Sequence, residues 1–258
     1  MCCFTRPVTS VNATKIFARV EQGDRQFLVY SMQVKSTEDL AMVLPLPVKP
    51  GTGEKAVTFI NLKDYPEFFT DLARGFPLPF GNWGNQSKSS DPVPLSVPPP
   101  LEVVKVGDFE ASFVPTIKDF SRLDARFRLP EGAWKKLPGY ETYGFAVFKL
   151  KPGSQTIHPM AFSFPRRDTA TLFFPTVHIH DGKVHPQADF DHTLYCQPRE
   201  GQPLKFDHSR VWAESFKLAR SFMKPVKAKG LIEPDQHCYK TSMGGELPNR
   251  DTFVGLEG

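Results

Sequence analysis

Along most of this chain, apolar residues either alternate with polar ones or run together in short blocks, and few stretches carry a helical period. KIFARV (15–20) and RQFLVYSMQV (25–34) flank Gly23-Asp24 and predict a β-hairpin. LAMVLPLPV (40–48) and AVTFINL (56–62) extend it as a meander, punctuated by Pro50-Gly51. Further strands are predicted in LEVVKVGDFEASFVP, YGFAVFKLK, HPMAFSFP, TLFFPTVHIH and DFDHTLYCQ. Three segments carry helix signals. DYPEFFTDLARGF has Asp64 as N-cap, Glu67 three residues on and Gly75 as a stop, with Phe68, Phe69 and Leu72 as its buried stripe. Residues 117–127 place Ile117, Phe120 and Leu123 on one face. In SRVWAESFKLARSFMK (209–224), Val211, Trp212, Phe216, Ala219, Phe222 and Met223 share a face, and Pro225 ends the segment. The pattern predicts a mainly β protein of the α+β type: antiparallel sheets and hairpins with about three peripheral helices.

Composition sharpens this picture. The 258 residues include 23 Phe and 25 Pro; Phe suits half-buried strands, and Pro interrupts helices and central strands alike. Residues 1–258 read as a single domain of two packed lobes, 1–76 and 101–258. Joining them is a Pro/Ser/Asn-rich stretch without periodicity, 77–100, read as a tether, with Trp83 as the reason to consider a lid or a contact surface. A formal charge of +4 with scattered basic residues gives no stripe that would track phosphates, so there is no clear nucleic-acid signal. The longest apolar segment is too short for a bilayer and the start lacks a signal-peptide core, so a cytoplasmic protein with reduced cysteines is expected. A partner cannot be specified from these features.

The sharpest chemical feature is PTVHIHDGKVH (175–185), which holds three of the seven histidines. With Asp181-Gly182 as a two-residue turn, the register opposes His178 to His185 and places His178, His180 and His185 on one face. Opposed Cβ atoms lie ~5 Å apart, a spacing that lets imidazoles converge on one ion. The pattern predicts a three-histidine site for a divalent metal ion, zinc favoured and iron or copper allowed, with His192 as a candidate fourth ligand. Lys183 falls on the same face, and a polar hairpin that happens to be His-rich accounts for the residues equally simply.

A second candidate lies at the start, MCCFTRPVTS. Removal of Met1 would leave Cys2 with a free α-amine able to act as base for its own thiol. Met-Cys followed by an Arg on the next strand, here Arg19 in IFAR, resembles the N-terminus of choloylglycine-hydrolase-type N-terminal-nucleophile hydrolases. That resemblance implies an amidohydrolase with Cys2 as nucleophile and Arg19 in the site, although ARVEQ replaces the continuation usual in that family. Asn249-Arg250 could furnish polar oxyanion partners. Over most of the chain, the Cys pair, LAMVLPLPV, VVKVGDFEASFVP, YGFAVFKLK and AFSFP together resemble a bacterial domain of unknown function, number 2330 in its series. This second resemblance implies a β-rich fold and no assigned activity. A third class, a non-catalytic interaction module contacting through the stretch around Trp83, is also compatible with the sequence.

Overall fold

The computed structural model describes residues 2–6, 8–76, 101, 103–107, 109–128, 139–150, 153–179, 185–207 and 209–257. The stretch 77–100 and the turn 180–184 therefore lie outside the described residues, and with them the expected tether and the Asp181-Gly182 hairpin turn. Strands β1 (Cys2–Phe4), β2 (Ser10–Glu21), β3 (Arg25–Ser36), β4 (Leu40–Leu46) and β5 (Thr58–Asn61) precede a short helix, α1 (Phe68–Ala73). Next come β6 (Val104–Val106), β7 (Phe109–Val114), β8 (Gly144–Leu150) and β9 (Gly153–Pro165). The chain closes with β10 (Thr171–Phe174), β11 (His178–Ile179), β12 (Gln187–Gln197), β13 (Leu204–Lys205), β14 (Ala213–Glu214), β15 (Tyr239–Pro248) and β16 (Thr252–Leu256).

These strands form a seven-stranded sheet, β14-β15-β12-β2-β3-β9-β5, a six-stranded sheet, β11-β1-β4-β8-β7-β6, and a small sheet, β10-β16-β13. Mainly β is correct, but the sheets are mixed, not antiparallel throughout: β1 runs parallel to β11, and β12 runs parallel to β2. The two large sheets pack face to face. Ile16, Leu28 and Tyr30 of one meet Met42, Leu44 and Phe148 of the other in the main core. Each sheet is also covered on its outer face. Phe17, Phe27 and Val29 pack under Phe68, Phe69 and Leu72 of α1, and Cys3, Val43 and Val147 pack under Phe120 and Leu123. Covering both faces explains why LAMVLPL is buried at every position of β4 instead of alternating. Among the described residues, β1 pairs with β4 at Met42 and Val43, so none of them is placed to require the N–H that Pro45 lacks.

The hairpin at Gly23-Asp24 forms as expected, with both residues at positive φ between paired Glu21 and Arg25. The helices need correction. Among the described residues there are two helices of six residues, α1 and a 3-10 helix at Ile117–Arg122, with shorter 3-10 turns at Ala125–Phe127 and Ala219–Ser221. No helix spans 209–224. Its backbone donors go elsewhere: Phe216 N–H to Gly75, Ala219 to Gln236 and Arg220 to Pro234. Val211 and Phe216, expected on the buried stripe, are 88% and 70% exposed. Strands from both expected lobes interleave within each large sheet, since β3 pairs β9, β4 pairs β8 and β2 pairs β12. Among the described residues, no helix is long and apolar enough to cross a membrane.

Candidate functional site

The site grows from β12. Its alternation sends Phe190, Leu194 and Cys196 into the main core, and His192 takes the same face with 2% exposure. Two-residue β11 brings His178 to the same place. The His178 ring lies against Phe190 at 4.4 Å between centroids and against His192 at 4.5 Å. The two Nε2 atoms are 2.9 Å apart. A neutral pair at that distance shares one proton-donating and one accepting nitrogen. On the far side of His192, Asp191 Oδ1 stands 3.6 Å from Nδ1, beyond a hydrogen bond but close enough for its charge to act. Burial holds the His192 imidazole below its ordinary pKa, and Asp191 pulls the other way. The Asp191 carboxyl is held low, first by His192 and then by the N–H groups of Ala13 and Thr14, against the opposing effect of its partial burial. Ala13 adopts positive φ where the β2–β3 register shifts, and its N–H donates to Asp191 Oδ2 at 2.5 Å.

β11 is short, and the Asn249 and Asp251 side chains, with the Arg250 carbonyl, hold it and the residues before it. Asn249 Oδ1 accepts from the His178 N–H at 2.7 Å, and Asn249 Nδ2 donates to the carbonyls of His178 and His185, each at 2.9 Å. Asp251 Oδ1 accepts from the N–H groups of Thr176 and Val177 at 2.9 and 3.1 Å. Thr176 Oγ1 donates to the Arg250 carbonyl at 2.8 Å. These bonds satisfy the backbone of a strand that has one sheet neighbour among the described residues. That neighbour is the N-terminus: the parallel register of β1 sets Cys2 against His178 and Cys3 against Ile179.

The structure thus gathers residues that sequence reasoning had divided between two sites. His178, His192, the backbone of Cys2 and the Asn249 amide converge. His185 is exposed and its carbonyl accepts from Asn249, and His180 lies outside the described residues. Among the described residues, no group of three or more His, Cys, Asp or Glu is arranged to hold a metal ion. Arg19 is buried in another place, where it donates to the carbonyls of Leu231 and Gly230 and to Glu233 and lies over the Phe27 ring. Tyr195 and Asp189, near His192 along β12, turn elsewhere: Tyr195 packs against Phe69 and Phe76, and Asp189 is exposed. The Asn249–Asp251 clamp is half visible in the sequence, where Asn249-Arg250 is a candidate polar pair, but nothing there joins it to PTVH.

No family model matches the chain. Among solved structures, it is similar to baculovirus P35 over the full length of both chains, at 14% identity and a TM-score of 0.49. A mutated baculovirus P35 after caspase cleavage matches 95% of this chain and 99% of its own, at 13% identity and a TM-score of 0.48. A caspase-8/P35 complex matches at 12% identity over 95% of this chain and 96% of that one, with a TM-score of 0.46.

Proposed function

We propose that this chain acts through the thiol of Cys2, as an N-terminal cysteine nucleophile that takes an acyl group from an amide or ester. The observation that supports this reading is the β1–β11 register, which seats Cys2 beside His178, itself backed by His192 and Asp191. Cysteine becomes a nucleophile as the thiolate, and a neighbouring imidazole that accepts the proton supplies it. In this reading His178 is the base. His192 receives or returns its proton through the Nε2–Nε2 contact, and Asp191 favours the charged form of the pair. The thiolate attacks the carbonyl carbon, the leaving group departs with the proton, and a thioester forms on Cys2. Where Met1 is removed, the α-amine is a second base for the same thiol. The proposed setting is the cytoplasm, where a reduced thiol persists.

Alkylation mapping tests this directly. Iodoacetamide at neutral pH should label Cys2 ahead of the buried Cys3, Cys196 and Cys238, with a half-rate pH below the ~8.5 of an ordinary thiol. His178→Gln should move that midpoint up by about a unit in a protein that still folds. An unchanged midpoint, or a Cys2 that resists alkylation, would overturn the proposal.

A second reading keeps the metal. The two Nε2 atoms point at one spot, and Asp191 backs His192 as carboxylates back metal-ligating histidines. His178, His192 and Cys2 would then be the ligands, replacing the hairpin set of His178, His180 and His185. The 2.9 Å separation favours the hydrogen bond, since two ligands at ~2 Å on a tetrahedral ion stand ~3.3 Å apart. Elemental analysis after growth with zinc, iron and copper decides it. Stoichiometric metal lost in His178→Ala plus His192→Ala supports the metal, and equal, negligible metal in both proteins rejects it.

A further inference from the structure

A cavity of about 530 Å³ is lined in part by Arg250, Asp251 and Thr252. That volume falls within the range of small-molecule sites. Its charged lining is cationic on balance: Lys205, Arg210 and Arg250 stand against Asp207 and Asp251. Burial lowers the Arg210 pKa; Asp207 opposes that, and neighbouring Arg250 lowers it further. Arg210 makes one long contact, to Thr252 Oγ1 at 3.4 Å, and among the described residues no protein acceptor is recorded for Arg250 or Lys205.

The acids lining the same cavity are already committed. Asp207 accepts from the N–H and hydroxyl of Ser209. Asp251 accepts from Thr176, Val177 and the Tyr140 hydroxyl. Two guanidiniums held near one another with spare donors form a fork suited to a carboxylate or phosphate. The remaining wall is aromatic. Trp212 stacks on Phe206 at 5.0 Å and 22°, Tyr143 carries the Arg167 guanidinium over its ring at 5.1 Å, and Phe253 is 47% exposed. A cationic fork beside flat apolar surfaces matches one ligand chemistry: a planar ring carrying a negative group.

We infer that this cavity is a binding site for a small aromatic anion, its ring lying against Trp212, Tyr143 or Phe253 and its charged group held between Arg210 and Arg250. The site is separate from the Cys2 chemistry and stands whether or not that thiol reacts. Titration calorimetry on the full chain with 1-naphthyl phosphate and 1-naphthoate tests it, and the stronger of the two identifies the charged group. Neutral 1-naphthalenemethanol and inorganic phosphate should each bind at least about tenfold more weakly, since each lacks one half of the match. Arg210→Gln plus Arg250→Gln should weaken the better anion at least about tenfold, and Arg220→Gln, on another surface, should leave it unchanged. If the double variant does not fold, Arg210→Gln alone and a rise in salt should each weaken binding measurably. Absence of binding by both anions at about 1 mM would overturn the inference. So would affinity indifferent to the arginines and to salt.

Discussion

Burial acts on His192 by disfavouring its charged form, so the folded chain resists a proton that the unfolded chain accepts near pH 6.5. The sign follows. Stability from this residue is fully present above the unfolded pKa and is lost as pH falls through that value toward the lower folded pKa. Urea midpoints measured from about pH 7.5 to about pH 5 should fall more steeply for the wild type than for His192→Gln, which cannot titrate. Parallel curves would show that His192 contributes no acid sensitivity. At this scale the sequence was partly readable. His192, a candidate fourth ligand in the sequence, alternates with Phe190 and Leu194, and the strand places it on their core face. His178, read as a metal ligand on the imidazole face of a hairpin, is buried against Phe190 and His192, with its strand held by Asn249 and Asp251.

Among elements, the strands were legible and the helices were not. Period-two and all-apolar runs mark β2, β3, β4 and β8 because their burial is set by flat sheets covered above and below. The 3.6 period of 209–224 was a coincidence of spacing. Tertiary hydrogen bonds from Phe216, Ala219 and Arg220 outweighed helix propensity, which is worth only tenths of a kcal/mol per residue. Gln26 shows the opposite case, a polar residue in the apolar run RQFLVY that carries structural weight. Its Nε2 donates to the Phe173 carbonyl at 2.7 Å and its Oε1 accepts the Phe173 N–H at 3.0 Å. The side-chain amide thereby takes the place of a second strand beside β10, which pairs only with β16 among the described residues, and ties the small sheet to the seven-stranded one. Gln26→Leu leaves both backbone groups buried and unsatisfied, so a loss of about 2–3 kcal/mol is expected in denaturant unfolding. A change under about 0.5 kcal/mol would mean that water or a shifted strand replaces the amide.

For the molecule as a whole, the decisive pairings join residues far apart in the chain, and local pattern carries no information about them. Cys2 meets His178, and Asn249 closes the far side of the same strand. The N-terminal strand is therefore an interior part of the six-stranded sheet, lying between β4 and β11. Phe4 is 1% exposed in the main core, and Thr5 is tied to Ala41 by its N–H and its hydroxyl. Phe4→Ala should cost about 3–5 kcal/mol, the usual loss for an aromatic removed from a packed interior. The same change should loosen β1 before the rest of the fold, because β1 has only three residues to hold its register. Hydrogen exchange should then show the amides of β1 and β11 opening together, while those of β2 and β3 keep their protection. If β11 stays protected when β1 opens, the 249–251 clamp alone seats His178, and Cys2 and the histidine pair are coupled by proximity without shared stability.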